Sequence, residues 1–161
     1  MTELKKQLIK YLVENSRYTV KQLAMMAGVS ESEAEVAVKE LEDEKVIVKY
    51  TTVVNSDKID EGDVTALIQV SVKPQKLKGF DALAEELCAF PEVQSLYLIS
   101  GGFDLCVMVK AKDLGAVARF VSEKLSGIDG VVSVPTHFIL KKYKIEGQTT
   151  TPSSSDRQIV L

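Results

Sequence analysis

The sequence contains two cysteines, one histidine and no tryptophan. Cys88 and Cys106 each sit inside an apolar pattern with no Cys or His at ligand spacing, which excludes a disulfide framework and a zinc site and predicts two buried thiols. No metal and no cofactor is implied. The one histidine, His137, has no evident acid partner, neither thiol has a placed base, and no phosphate-binding glycine fingerprint appears, so the chain reads as a non-enzyme. No apolar run approaches the roughly 18 to 20 residues of a membrane span, and the opening MTELKKQLIK lacks the core of a signal peptide, so a cytoplasmic protein without a membrane partner is expected. Basic residues number 20 against 23 acidic ones, a net charge of −3 that excludes a polyanion binder working by bulk charge alone. Any contact with nucleic acid has to come from shape and local groups.

A chain of 161 residues can bury one sizeable core or two modest ones, and the periodicity favours two. Leu4, Leu8, Ile9, Leu12 and Val13 recur at helical spacing between Glu3 and Glu14, with Thr2 placed to cap the first turn and Lys5, Lys6 and Lys10 expected to face away. Thr19 opens a second, short helix through Val20, Leu23, Ala24 and Ala27, which Gly28 stops. Ser30 caps a third, with Glu33 in the capping-box position and Ala34, Val38 and Leu41 on one stripe. The β-branched segment VIVKYTTVVN, Val46 to Asn55, then predicts two short strands or one bent strand, a wing.

The polar stretch NSDKIDEG is a natural linker, and beyond it the period alternates between strand and helix. Strands are expected over Val64 to Val72, Val93 to Ser100, Leu105 to Ala111 and Val131 to Tyr143, with helices over Phe80 to Ala89 and from Asp113 to Leu125. The order is βαββαβ, a ferredoxin-like pattern in which two helices cover one face of an antiparallel sheet and leave the other needing a partner chain. The fold class is therefore α+β: a winged helix-turn-helix over 1–55, a linker over 56–62, a ferredoxin-like domain over 63–146, and a Ser/Thr-rich tail over 147–161 expected to be disordered.

The stretch TVKQLAMMAGVSESEAEVAVKELEDEKVIVKY resembles the winged helix-turn-helix of the Lrp/AsnC (leucine-responsive) transcription regulators. LYLISGGFDLCVMVKAKD and GVVSVPTHFILKKYK are similar to that family's effector-loop segment and closing strand. The resemblance implies a regulator that binds double-stranded DNA and self-associates as a dimer, with an octamer of four dimers as the larger assembly. It also implies an amino acid or similar small effector. The third helix departs from the family's basic pattern at Glu35, Val36, Ala37 and Glu40, and Lys45 stands where the family favours glycine.

For DNA, the candidate contacts are Lys21 and Gln22 on the second helix, Ser30, Ser32 and Lys39 on the third, and Lys49 with Tyr50 in the wing, most of them suited to phosphate. Glu31 or Glu35 either accepts from a cytosine amino group or stands on a solvated face. For the effector, the resemblance implies Ser100, Gly101, Gly102, Phe103 and Asp104 with Pro135, Thr136 and His137. Glycine amides approach a carboxylate closely, and Asp104 either takes an ammonium or fixes the loop. Gly101 and Gly102 are equally readable as a plain hairpin turn. Phe103 closes the pocket or joins the oligomer interface. The acidic third helix leaves open a partner of other regulators that has lost its own DNA binding.

Overall fold

Thr2, Thr19 and Ser30 each stand one residue before a helix, and each hydroxyl accepts from a backbone amide of the first turn. In the computed structural model, which describes residues 1–59, 62–73 and 79–150, these caps open α1 (Glu3–Glu14), α2 (Val20–Ala27) and α3 (Glu31–Asp43). Gly28 ends α2 at φ 70°, the left-handed conformation that glycine adopts without steric cost. Leu8, Leu23 and Ala37 meet at the centre of the three helices, with Leu4, Tyr11, Leu12, Tyr18 and Val38 around them.

Two expectations for this half are corrected. Lys5 does not face away: it is 8% exposed, because positions 5, 8 and 12 share one helical face and its ammonium reaches across to Glu40 and Glu44. Residues 46–55 form no strand, and Val48, Val53 and Val54 remain exposed. A lone two-stranded ribbon is marginal without a third strand or a helix to pack on, and beyond the Val46 and Ile47 amides at the helix end the described hydrogen bond of this segment to α3 is the one from the Tyr50 hydroxyl to Glu42. Lys45 keeps the left-handed cap at φ 57°, with the amides of Val46 and Ile47 both donating to the Leu41 carbonyl.

The chain divides after Val54. The second unit carries β1 (Val64–Val72), α4 (Phe80–Cys88), β2 (Val93–Leu98), β3 (Leu105–Ala111), α5 (Leu114–Arg119), β4 (Val131–Ser133) and β5 (Thr136–Phe138). α5 runs on through a π-helical turn, Phe120–Lys124, and a 3-10 turn, Leu125–Gly127. The sheet order is β2-β3-β1-β4, with β5 also on β1 and every pairing antiparallel. Ala66, Ile68 and Val70 of β1 and Leu105, Val107 and Val109 of β3 point to the helices and are fully or almost fully buried against Leu87, Val117, Phe120 and Leu125. The intervening residues, among them Leu67, Met108, Cys106 and Tyr97, fall on the opposite face.

The long closing strand expected from Val131 to Tyr143 is two short strands. Pro135 has no N–H to give the ladder, so pairing breaks there while its carbonyl still accepts from Gln69 at 2.9 Å. β5 ends at Phe138, opposite Ala66, and a last bond from the Ile139 amide to the Thr65 carbonyl at 2.9 Å brings the pairing to the start of β1. Cys88, expected to be buried, is exposed, whereas Cys106 is buried. The tail is also corrected at its beginning. β6 (Lys144–Ile145) and β7 (Gln148–Thr149) pair across Glu146 and Gly147 at φ 44° and 80°, the left-handed pair of a tight hairpin turn. The Asn55 side chain donates to the Thr150 carbonyl at 2.8 Å, tying this hairpin to the start of the second unit. The expected disorder of 151–161 lies outside the described residues.

Holding a residue with a Cβ at φ 57° costs about 1 kcal/mol, so Lys45→Gly should stabilise the protein by roughly that amount in a denaturant titration, with no change in cooperativity.

Candidate nucleic-acid interface and effector site

Four carboxylates of α3 and its C-cap are held by neighbouring groups, and Lys5 offsets one of their charges. Ser30 and Glu33 form a capping box, with the Ser30 hydroxyl donating to Glu33 Oε2 at 2.6 Å, and these bonds hold the Glu33 carboxyl below the usual carboxylate range. Glu44 and Glu40 lie 2.8 and 3.1 Å from Lys5 Nζ, and the hydrogen bonds to Glu44 and then Glu40 raise the lysine above its ordinary value. Tyr50 donates to Glu42 at 2.7 Å; burial, then this bond, pushes the phenol up to about 12. Four of the carboxylates are thus occupied by a cap, a lysine or a phenol. Ser32, Val36 and Lys39, at i, i+4 and i+7, form an exposed stripe on the side of α3 away from Ala34 and Leu41, with Ser32 and Val36 also bordering a shallow depression beside Thr2, Leu4 and Lys5.

The eight sequence-predicted DNA contacts are all exposed, but they are not equally free. Gln22 accepts from the Thr19 amide in a second capping box, Ser30 is engaged with Glu33, and Tyr50 with Glu42. Lys21, Ser32, Glu35, Lys39 and Lys49 point to solvent. Sequence reasoning missed Lys5, whose place on the Leu8 face was legible in the spacing.

The effector residues fall on both edges of β1. Asp104 donates its amide to the Val70 carbonyl at 3.1 Å and accepts from the Val72 amide through Oδ2 at 2.8 Å, so its carboxylate fixes the loop to the end of β1. On the other edge, Thr136 lies opposite Ile68 and His137 opposite Leu67. One strand separates the two segments, roughly 10 Å of sheet. Within one chain they flank a space without enclosing it. Ser100, Gly101 and Gly102 are exposed, Phe103 and Asp104 half-buried, and the Thr136 hydroxyl donates to the Val134 carbonyl at 3.1 Å.

The two glycines are not required by the turn. Neither adopts a positive φ; a Cβ at Gly101 would meet Ile99 at an ordinary 3.7 Å, and one at Gly102 would meet nothing within 4 Å.

The family model described as the Lrp/AsnC ligand binding domain matches residues 65–149, more than half of the chain, and the one described as winged helix-turn-helix DNA-binding matches residues 1–48. The chain belongs to the Lrp/AsnC family. It is 44% identical to the HTH-type transcriptional regulator YugG of Bacillus subtilis, covering all of this chain and 98% of that one. It is 34% identical to the HTH-type transcriptional regulator LrpA of Pyrococcus abyssi over 88% of this chain and 98% of that protein. Among solved structures, a transcriptional regulator of Neisseria meningitidis in complex with L-Met superposes with a TM-score of 0.69 at 25% identity, over 96% of this chain and 98% of that one. The leucine response regulatory protein LrpA of Mycobacterium tuberculosis shares the fold with a TM-score of 0.75 at 21% identity, over 94% and 100% of the two chains. This protein is accordingly a DNA-binding transcriptional regulator with a ligand-binding domain, and no described helix is long and apolar enough to cross a membrane.

The Glu33 cap gives this half of the molecule a pH dependence of defined sign. A carboxyl whose pKa is lowered on folding adds stability above its unfolded pKa and loses it as pH falls through the folded one. Wild type should therefore exceed Glu33→Ala in thermal midpoint at neutral pH, and the two midpoints should converge below the ordinary carboxylate range near pH 4.5. A gap unchanged down to pH 2 would contradict the cap.

Proposed function

We propose that this regulator binds an amino acid at Ser100–Asp104 together with Pro135, Thr136 and His137, acts as a dimer or a larger ring of dimers, and has no catalytic role. The observation that carries the effector site is the pair of exposed glycines whose smallness serves neither the backbone nor packing within the chain. Room kept open on the outside of a loop suits a ligand carboxylate approaching the amides. The L-Met bound by the Neisseria meningitidis regulator supports an amino acid as the ligand class. The two segments flank β1 without closing a pocket, so a second copy of the chain would supply the missing wall.

The dimer reading rests on the sheet face opposite α4 and α5. Leu67 lies opposite Met108, and Cys106 opposite Tyr97, itself 55% exposed, which makes an apolar stripe of the kind that covers itself by self-association. On the DNA side, Lys21, Lys39 and Lys49 take phosphate, Ser32 and Glu35 stand nearest the base edges, and Gln22, Ser30 and Tyr50 contribute after first ordering their own elements. Each subunit binds weakly by itself, and the linked subunits of the assembly multiply that affinity. With DNA as its partner, the protein works in the cytoplasm.

Two measurements check this. Gly101→Ala and Gly102→Ala should keep or slightly raise the melting temperature, since alanine here restricts only the unfolded chain. They should abolish the thermal shift that an amino acid gives wild type, about 2.7 kcal/mol of stabilisation at 100 times its dissociation constant. A screen of the common amino acids that shifts nothing would remove the sensor reading. An anisotropy titration on the protein's own upstream DNA should show binding that weakens as salt rises, and Lys5→Met, by releasing Glu40 and Glu44, should weaken it further and most strongly at low salt. No binding at micromolar protein would favour a partner of other regulators without DNA recognition of its own.

A further inference from the structure

Among the described residues of α3, Val36 alone is a large apolar side chain left exposed, at 54%. A single exposed valine on a surface needs no explanation, but this one occupies a particular place. It is the middle residue of the exposed stripe Ser32, Val36, Lys39, on the helix that follows the Gly28 turn, at the outer rim of the depression that α3 forms with the start of α1. The carboxylates on the α1 side of that stripe are drawn off, Glu33 into the cap and Glu40 and Glu44 onto Lys5. Along the middle of the face run a hydroxyl, an isopropyl group and an ammonium about one helical turn apart, with Asp43 at its C-terminal end and Glu35 on the other flank.

In a helix-turn-helix the early residues of the second helix meet the base edges in the major groove, and the apolar group that bases present there is the 5-methyl of thymine. We propose that Val36 reads a thymine methyl and is a specificity-determining residue of each half-site. Ser32 then lies over the neighbouring base edge and Lys39 reaches a phosphate. This inference rests on the DNA-binding reading above, and it gives an acidic helix a means of reading sequence that does not depend on its charge: an apolar contact.

The test uses the full chain and a duplex selected from a randomised pool. A thymine is expected in each half-site. Replacing thymines one at a time by deoxyuridine removes only the methyl group, and at one position per half-site it should weaken wild type about fourfold, the value of one buried methyl. Val36→Ala should lose the same factor on the thymine duplex and no longer distinguish thymine from uracil. Alanine is the better helix former, so the variant should keep its helix content. Equal wild-type affinity for thymine and uracil at every position overturns the proposal. So does a Val36→Ala protein that keeps the preference, and a change in its oligomeric state would then assign the side chain to a protein contact. Failure to select any duplex is a different result: it removes the DNA-binding reading itself.

Discussion

Both edges of β1 are hydrogen-bonded, to β3 on one side and to β4 and β5 on the other, and the C-terminal domain is organised around that constraint. A strand paired on both edges has only its two faces left. Ala66, Ile68 and Val70 give one face to the helices, and the residues between them give the other to whatever lies outside the chain. The same pairing delivers the two effector segments to the end of β1 from opposite sides, Asp104 through the Val70 and Val72 backbone and Pro135 through Gln69. Sensing and assembly therefore meet on one strand, where a ligand held near its end also touches the frame of the outward face.

In the N-terminal domain the governing fact is where charge is spent. Composition says that α3 is acidic, and a reading from composition sets it against phosphate. Placement qualifies this, because Lys5 reaches Glu40 and Glu44 and offsets one charge, while Ser30 holds Glu33 and Tyr50 holds Glu42 in fixed positions. A lysine that is almost wholly buried, with its ammonium between two carboxylates, ties α1 to α3 and halves the charge of that pair.

Much of this was legible beforehand, where local chemistry acts alone. The caps at Thr2, Thr19 and Ser30, the stop at Gly28 and the period change at Val64 all appear where the sequence predicts them, because each depends on residues within one turn or one strand. The misreadings share a different cause. Val46 to Asn55 has the composition of strands but no described neighbour to pair with; the closing strand reads as continuous until Pro135 and the start of β1 cut it; and Gln148 with Thr149 reads as tail until Lys144 and Ile145 lie opposite. Strand formation is a property of two segments, and a single segment cannot report on its partner.

Sequence by itself determined the helices, their caps, the two-domain order and the family to which the chain belongs, because capping, periodicity and motif spacing are carried by nearby residues. Tertiary structure alone decided which of the acidic side chains of α3 are already paired, that Asp104 holds a loop to β1, and that Gly101 and Gly102 stand free of any need of the turn. Those are relations between residues up to 39 positions apart, such as Lys5 and Glu44, and they arise only when packing brings the segments together.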